Sequence, residues 1–259
     1  MAVLNLLTLK LELFLVLFVR IIGMFVLFPL YGDQALPIQP KIGIALFLAY
    51  FAFPLAMKSD FALPTTLGAM AVALGGEILI GLMIGFIFQL LLGAIQLGGQ
   101  FVGMQMGFAL ANVLDPANGE ETPLIGKYQE LIATMILFAL GLDHFFFAGI
   151  AESFRVVPPL GIHLTPASVH VVLEQSVRMW VVAVKIAAPI TIALFATNIS
   201  MGLMARAVPQ MNIFMIGFPV TIGVGLLVLG LSLPMFARVV GGMFADLRPV
   251  MDRMLVLAR

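Results

Sequence analysis

The chain has 259 residues, 62% of them hydrophobic and only 10% charged, and its mean hydropathy of +1.16 belongs to a membrane protein rather than a water-soluble core. Thirteen basic residues balance thirteen acidic ones, so no basic stripe is available to neutralise phosphates and a nucleic-acid partner is excluded. The absence of cysteine removes disulfides, thiolate metal sites and thiol catalysis together.

In chain order, Lys10, Glu12 and Arg20 interrupt the first apolar run. With no small-residue cleavage site following, the N-terminus is expected to be retained rather than removed as a signal peptide. Apolar runs then cover Leu11 to Leu30, Ile42 to Met57, Leu67 to Leu97, Leu131 to Ile150, Met179 to Ser200 and Ile213 to Phe236. A crossing needs about 20 apolar residues. The second run is therefore marginal, and the third, which continues to Leu114, is too long for one crossing and must bend, break or leave the bilayer. Pro29, Pro54, Pro189, Pro219 and Pro234 predict kinked or broken helices. If all six runs cross, Lys and Arg are scarcer on the side holding Lys41, Lys127 and Arg206. That scheme puts the termini in the cytoplasm and the segment after Gly98 outside.

Polar residues within these runs are the first functional candidates. Glu77, Gly81, Gly85, Gln89 and Gly93 recur every four residues, a ridge that faces protein rather than lipid. Glu77 and Lys185 are the opposite charges of two apolar segments, suited to a structural pair, a subunit contact or a proton path. Arg20 is equally isolated, and its reading is snorkelling or a pair with Glu12 on the same helix. Asp143 and His144 precede Phe145, Phe146 and Phe147, which suit an interfacial aromatic anchor better than acid-base chemistry. His144, His163 and His170 are too scattered for a zinc helix, and no metal or cofactor site is indicated. Without a nucleophile elbow, a phosphate loop or a dinucleotide fingerprint, an enzyme is not expected. A proton-coupled transporter remains the rival of a different class, since it too would use broken helices and intramembrane charges.

The stretch Gly98 to Pro123, GGQFVGMQMGFALANVLDPANGEETP, is the most informative. Gly99, Gly103 and Gly107 form a small-residue ridge that lets another backbone approach. Met104, Met106, Phe108, Leu110, Val113 and Leu114 offer bulky or polarizable groups beside it. Asp115 and Pro116 then end any helix, because a proline lacks the donor a helix interior needs. Core fill and a compliant seal are both open readings of the methionines.

GGQFVGMQMGFALANVLDP and, further on, MARAVPQMNIFMIGFPVTIGVGLLVL resemble the two characteristic regions of the FliR family of flagellar export-gate proteins. The second match is specific in its order of Pro209, Phe214, Gly217 and Pro219. The resemblance covers almost the whole chain and implies an all-α membrane-associated fold of kinked and broken helical hairpins. It implies a FliP-like portion over residues 1–175, with a plug loop at 106–124, and a FliQ-like hairpin and tail over 176–259. Such a subunit joins FliP and FliQ in a helical hetero-oligomeric channel at the bacterial inner membrane, within the flagellar basal body. FlhB and FlhA are implied as neighbours, unfolded flagellar subunits as cargo and no cofactor; injectisomes contain counterparts of the same kind. By resemblance Phe108, Leu110, Val113 and Leu114 obstruct the lumen below a methionine-lined ring, where Met104 and Met106 would contribute, and Gly103 and Gly107 allow the turn. Leu110 and Val113 stand where some family members carry phenylalanine.

Overall fold

Apolar runs of this length satisfy their backbone polar groups internally, and an α-helix does so within one segment. The computed structural model describes residues 2–28, 37–57, 64, 66–108, 124–162, 165–208, 210 and 213–259. Among them the regular structure is entirely helical: α1 Ala2–Leu27, α2 Ile38–Ala56, α3 Leu67–Met106, α4 Leu124–Ala139, α5 Leu142–Val156, α6 Pro166–Ala207 and α7 Ile213–Leu257. This is the all-α membrane fold expected from composition. Among the described residues three helices are long and apolar enough to cross a membrane: α3, α6 and the Met215–Leu257 part of α7.

The bent pair Leu124–Ala139 and His144–Val156 is apolar enough to form a fourth, broken span. The Leu131 to Ile150 run is divided between α4 and α5, because Gly141 takes a left-handed φ of 84° at their junction. The long third run forms one helix of 40 residues, α3, which ends at Met106, short of Leu114. At about 1.5 Å per residue it measures roughly 60 Å, twice the thickness of a bilayer's hydrocarbon core. The prolines interrupt less than expected as well, since α2 continues through Pro54, α6 through Pro189 and α7 through Pro219 and Pro234. Each removes one backbone donor, but the turns on either side keep theirs. Pro29 lies outside the described residues.

The chain forms two compact units that are discontinuous in sequence. Unit 1 comprises residues 1–90, 141–176 and 245–259, and unit 2 comprises residues 91–140 and 177–244. Helices α3, α6 and α7 each contribute residues to both.

Unit 1 is organised around a charge. Arg20, on α1, is completely buried, and so is Glu77 on α3. The guanidinium meets the carboxylate through two N–H groups, Nε to Oε2 and Nη2 to Oε1, the latter at 3.0 Å. Nη1 donates to the carbonyls of Ser153 at 3.0 Å and Val157 at 2.9 Å, and Nη2 also reaches the Pro158 carbonyl at 3.4 Å. Every N–H of the five-donor fork thus has an acceptor. Glu77 Oε1 in turn accepts the Leu160 backbone N–H at 2.7 Å. Leu160 adopts a left-handed φ of 63°, a conformation that costs a branched residue about 1–2 kcal/mol. The turn that contains it is closed by the Gly161 N–H on the Pro158 carbonyl at 3.0 Å. One ion pair therefore holds α1, α3, the end of α5 and the turn after it.

This arrangement corrects two expectations about the charges. Arg20 neither snorkels nor pairs with Glu12, and the partner of Glu77 is Arg20 rather than Lys185. Packing rather than periodicity is responsible: Gly23, Gly81 and Gly85 bring α1 and α3 close enough for a one-residue-thick contact. A Cβ on Gly23 would stand 2.9 Å from the Ile78 carbonyl oxygen, and one on Gly85 would stand 2.6 Å from that of Met24. Gly81 is tighter still, against the Arg20 carbonyl. The four-residue ridge works as far as Gly85. Spacing by four advances about 40° each time, and Gln89 has turned out to the exposed side.

Unit 1 also holds an aromatic cluster. Phe146 is buried, with its ring centroid 4.0 Å from Phe28, 5.3 Å from Phe25 and 5.9 Å from Phe88. The Phe145 to Phe147 run is thus not an interfacial anchor as a whole: its middle ring is core, and Phe147 is exposed. The final turns of α7 also belong here, with the Thr165 hydroxyl donating to the Leu257 carbonyl at 2.7 Å.

Removing either half of the ion pair leaves a buried charge with no partner, a loss of about 3–5 kcal/mol. Arg20→Met and Glu77→Met are each expected to lower the thermal unfolding temperature of the detergent-solubilised protein strongly. The double variant is expected to unfold at a higher temperature than the sum of the two losses predicts. Strict additivity in that double-mutant cycle would contradict the pairing.

Candidate functional site

The glycine- and methionine-rich segment and the Pro–Phe–Gly–Pro segment, about a hundred residues apart, meet in unit 2. The first of them includes the C-terminal end of α3. Its last carbonyls have no intrahelical donors, so partners must come from elsewhere. The Thr221 hydroxyl, on α7, lies 3.2 Å from the Met106 carbonyl oxygen and 3.1 Å from that of Phe218 one turn earlier. Its single hydrogen can therefore serve the end of α3 or its own helix. Gln105 Nε2 donates to Thr191 Oγ1 of α6 at 3.1 Å.

Gly107 ends the helix. Its φ is 96°, a left-handed value suited to glycine, and its N–H reaches back to the Met104 carbonyl at 3.2 Å. A Cβ there would also stand 2.7 Å from the Phe218 ring. Conformation and space thus demand glycine for separate reasons.

The two methionines separate cleanly. Positions two apart on a helix differ by about 200°, and Met104 is 56% exposed while Met106 is fully buried. Met106 belongs to a core with Val102, Ile125, Ile190, Leu194 and Leu229, and Phe108 packs at its edge. Gly225 of α7 makes room for it, since a Cβ there would fall 2.7 Å from the Met106 Cε. Met106 is thus core fill in this structure, and Met104 is the methionine available to a neighbour.

The three ridge glycines also have unequal surroundings. At Gly99 a Cβ would collide with the Gly126 backbone of α4, so those two helices touch main chain to main chain. Gly98 abuts α6, with the Ala183 carbonyl oxygen 3.0 Å from a built Cβ. Gly103 meets only the Ile125 side chain at 3.8 Å, which is ordinary contact. Close packing is concentrated one turn earlier than the spacing suggested, and Gly98 and Gly126 are the partners that spacing by four does not reveal.

A cavity of about 200 Å³ adjoins the end of α3, lined by Gln105, Met106, Gly107, Asn198, Met201, Gly217, Phe218 and Thr221. Gly217 is buried beside Met201, and Pro219 is exposed two residues further on. Phe214 lies in the first turn of α7. Leu110, Val113, Leu114, Asp115, Pro116 and Pro209 lie outside the described residues. Lys185, on α6, is exposed in this unit, and the carboxylate of Glu77 is taken up by Arg20. Thr221, Gln105 and Thr191 were missed as contact residues by sequence reasoning. Their only signal is polarity inside an apolar run, which any helix can satisfy on its own by bonding back one turn.

These contacts rank the glycines. Gly99→Ala and Gly107→Ala are expected to depress the unfolding temperature in detergent clearly, while Gly103→Ala leaves the stability within about 0.5 kcal/mol of wild type, as for a site with room for a methyl group. Thr221→Val removes one hydrogen bond and is expected to cost about 1 kcal/mol. Equal shifts for all three glycine variants would contradict the packing described.

Comparison with known proteins bears on the same regions. Residues 11–247 match the family model of bacterial export proteins, family 1. The chain is 32% identical over 250 residues to the flagellar biosynthetic protein FliR of Bacillus subtilis, covering 94% of this chain and 95% of that protein. It is 28% identical over 233 residues to FliR of Aquifex aeolicus, covering 90% of each. It is 24% identical over 228 residues to FliR of Escherichia coli, covering 88% of this chain and 87% of that protein. With both of its distinctive segments inside the matched range and packed on one another, the chain belongs to the bacterial export proteins, family 1.

Proposed function

We propose that this protein is a core subunit of a flagellar type III export gate. In this reading it forms, with FliP-like and FliQ-like subunits in the bacterial inner membrane, a channel for unfolded flagellar subunits, with FlhB and FlhA as neighbours at the basal body. The family and the flagellar names of its relatives support the flagellar setting. The observation that carries the mechanistic part is the anchoring of the α3 end by α7, at Gly107, Phe218 and Thr221. A segment that obstructs a channel needs a rigid root, because a seal that drifts leaks.

The physics of the proposed plug is that of an apolar constriction. A closed protein channel must stop small ions and still pass an extended polypeptide. A narrow apolar ring does both, since it dewets when closed and yields when cargo displaces mobile side chains. Phe108, Leu110, Val113 and Leu114 supply that ring in this reading, Met104 lines its approach, and buried Met106 fixes its base. Asp115 and Pro116 turn the chain back. Residues 1–175 correspond to the FliP-like portion and 176–259 to the FliQ-like hairpin. The proton-coupled transporter loses its main support, because the carboxylate it would use, Glu77, is engaged by Arg20 and the Leu160 N–H.

Replacing Phe108, Leu110 and Val113 together with glycine is expected to raise ion leakage through the assembled complex, read as conductance in a planar bilayer or as growth sensitivity to external ions. Unchanged conductance of an intact complex would overturn the plug. Failure of the wild-type chain to co-purify with FliP-like and FliQ-like subunits would overturn the gate.

A further inference from the structure

The few charges within the helices long enough to cross a membrane are handled very unequally. Glu77 is buried and fully engaged by Arg20. Lys185 is exposed, and among the described residues it makes no ion pair and no side-chain hydrogen bond. It is the only charged residue of α6 between Arg178 and Arg206, positions about 10 Å behind and about 30 Å ahead of it along the helix.

The surface around Lys185 is apolar. Val181 and Val184 are 48% and 57% exposed, and Ile192, Phe195 and Ile199, about two to four turns further along the same side, are each at least half exposed. Pro189 adds a second polar group at the same place. It has no N–H to give to the carbonyl of Lys185 four residues earlier. One short stretch of an otherwise apolar face thus presents an ammonium and an underused carbonyl.

We infer that the Lys185 face of α6 is an intersubunit contact that receives an apolar helix carrying an aspartate or glutamate, whose carboxylate pairs with the Lys185 ammonium. The inference rests on the proposed assembly and adds to it the face, the residue and the chemistry of the partner. An exposed aliphatic stripe alone would fit lipid as well as protein. A lysine within that stripe distinguishes them, because hydrocarbon cannot satisfy an ammonium whereas a carboxylate on a packed helix can. The demand is symmetrical: the partner's acid is as poorly placed without Lys185 as Lys185 is without the acid. Snorkelling to the headgroups is the competing fate, and it makes the opposite prediction for an uncharged substitution.

The test uses the full chain co-expressed with FliP-like and FliQ-like subunits. Lys185→Leu and Lys185→Glu are expected to lower the co-purified partner at least tenfold, Lys185→Arg to retain it, and none to change the unfolding temperature of the isolated chain. Treating the wild-type complex with a membrane-permeant carbodiimide, which condenses an amine with an adjacent carboxylate, is expected to join Lys185 to an Asp or Glu of another subunit. Undiminished assembly of Lys185→Leu would overturn the inference in favour of snorkelling. A lowered unfolding temperature of the isolated variant, or a crosslink within the chain to Asp115, Glu120 or Glu121, would overturn it in favour of an internal role. If wild-type chain fails to assemble at all, the gate reading falls and this one with it, whereas assembly that ignores Lys185 sinks this one alone.

Discussion

A guanidinium placed where no water reaches must have every N–H satisfied by protein, and in unit 1 that requirement organises everything around it. Arg20 draws Glu77 from α3, two carbonyls from the end of α5, and one from the turn beyond. Glu77 then holds Leu160 in a left-handed conformation that its branched side chain would otherwise avoid. The pair adds little net stability compared with an apolar pair of the same volume. Its value is geometric, since only one arrangement of four segments meets all its hydrogen bonds. Gly23, Gly81 and Gly85 are the complement of that geometry, allowing the backbones to approach until a short contact spans them.

Unit 2 uses the same economy at the end of α3. A helix terminus exposes carbonyls, and a hydroxyl from α7 meets one of them. A glycine turn then changes the chain's direction where an aromatic ring leaves no room for a side chain. Anchored in this way, the residues beyond Gly107 start from a defined point. A cavity lies beside Met106 and Met201, two side chains of adaptable shape.

Much of this was legible before any coordinates. The membrane class followed from hydropathy, the helices from the apolar runs, and the family from two segments whose order of Pro209, Phe214, Gly217 and Pro219 is hard to meet by chance. Gly99 as a packing site was readable from spacing, and Gly107 as a turn from the family resemblance. What failed was pairing. Arg20, Glu77 and Lys185 stood out as isolated charges, but three charges allow several pairings, and spacing along the chain ranked the wrong one first. The middle ring of Phe145 to Phe147 was misjudged for a related reason: an aromatic run looks the same at an interface and in a core.

The sequence by itself determined the solvent this chain is built for, its helical content and its relatives, because these depend on composition, local periodicity and ordered motifs. Only the tertiary structure decided that Met104 is outside while Met106 is inside, that Glu77 belongs to Arg20, and that Thr221 caps the end of α3. The Thr221 hydroxyl shares its one hydrogen between the Met106 and Phe218 carbonyls, and all these outcomes depend on which helix faces which. In a chain this uniformly apolar the hydrophobic pattern scarcely distinguishes one face from another, so the choice falls to a few glycines and hydrogen bonds whose partners lie 50 to more than 100 residues away.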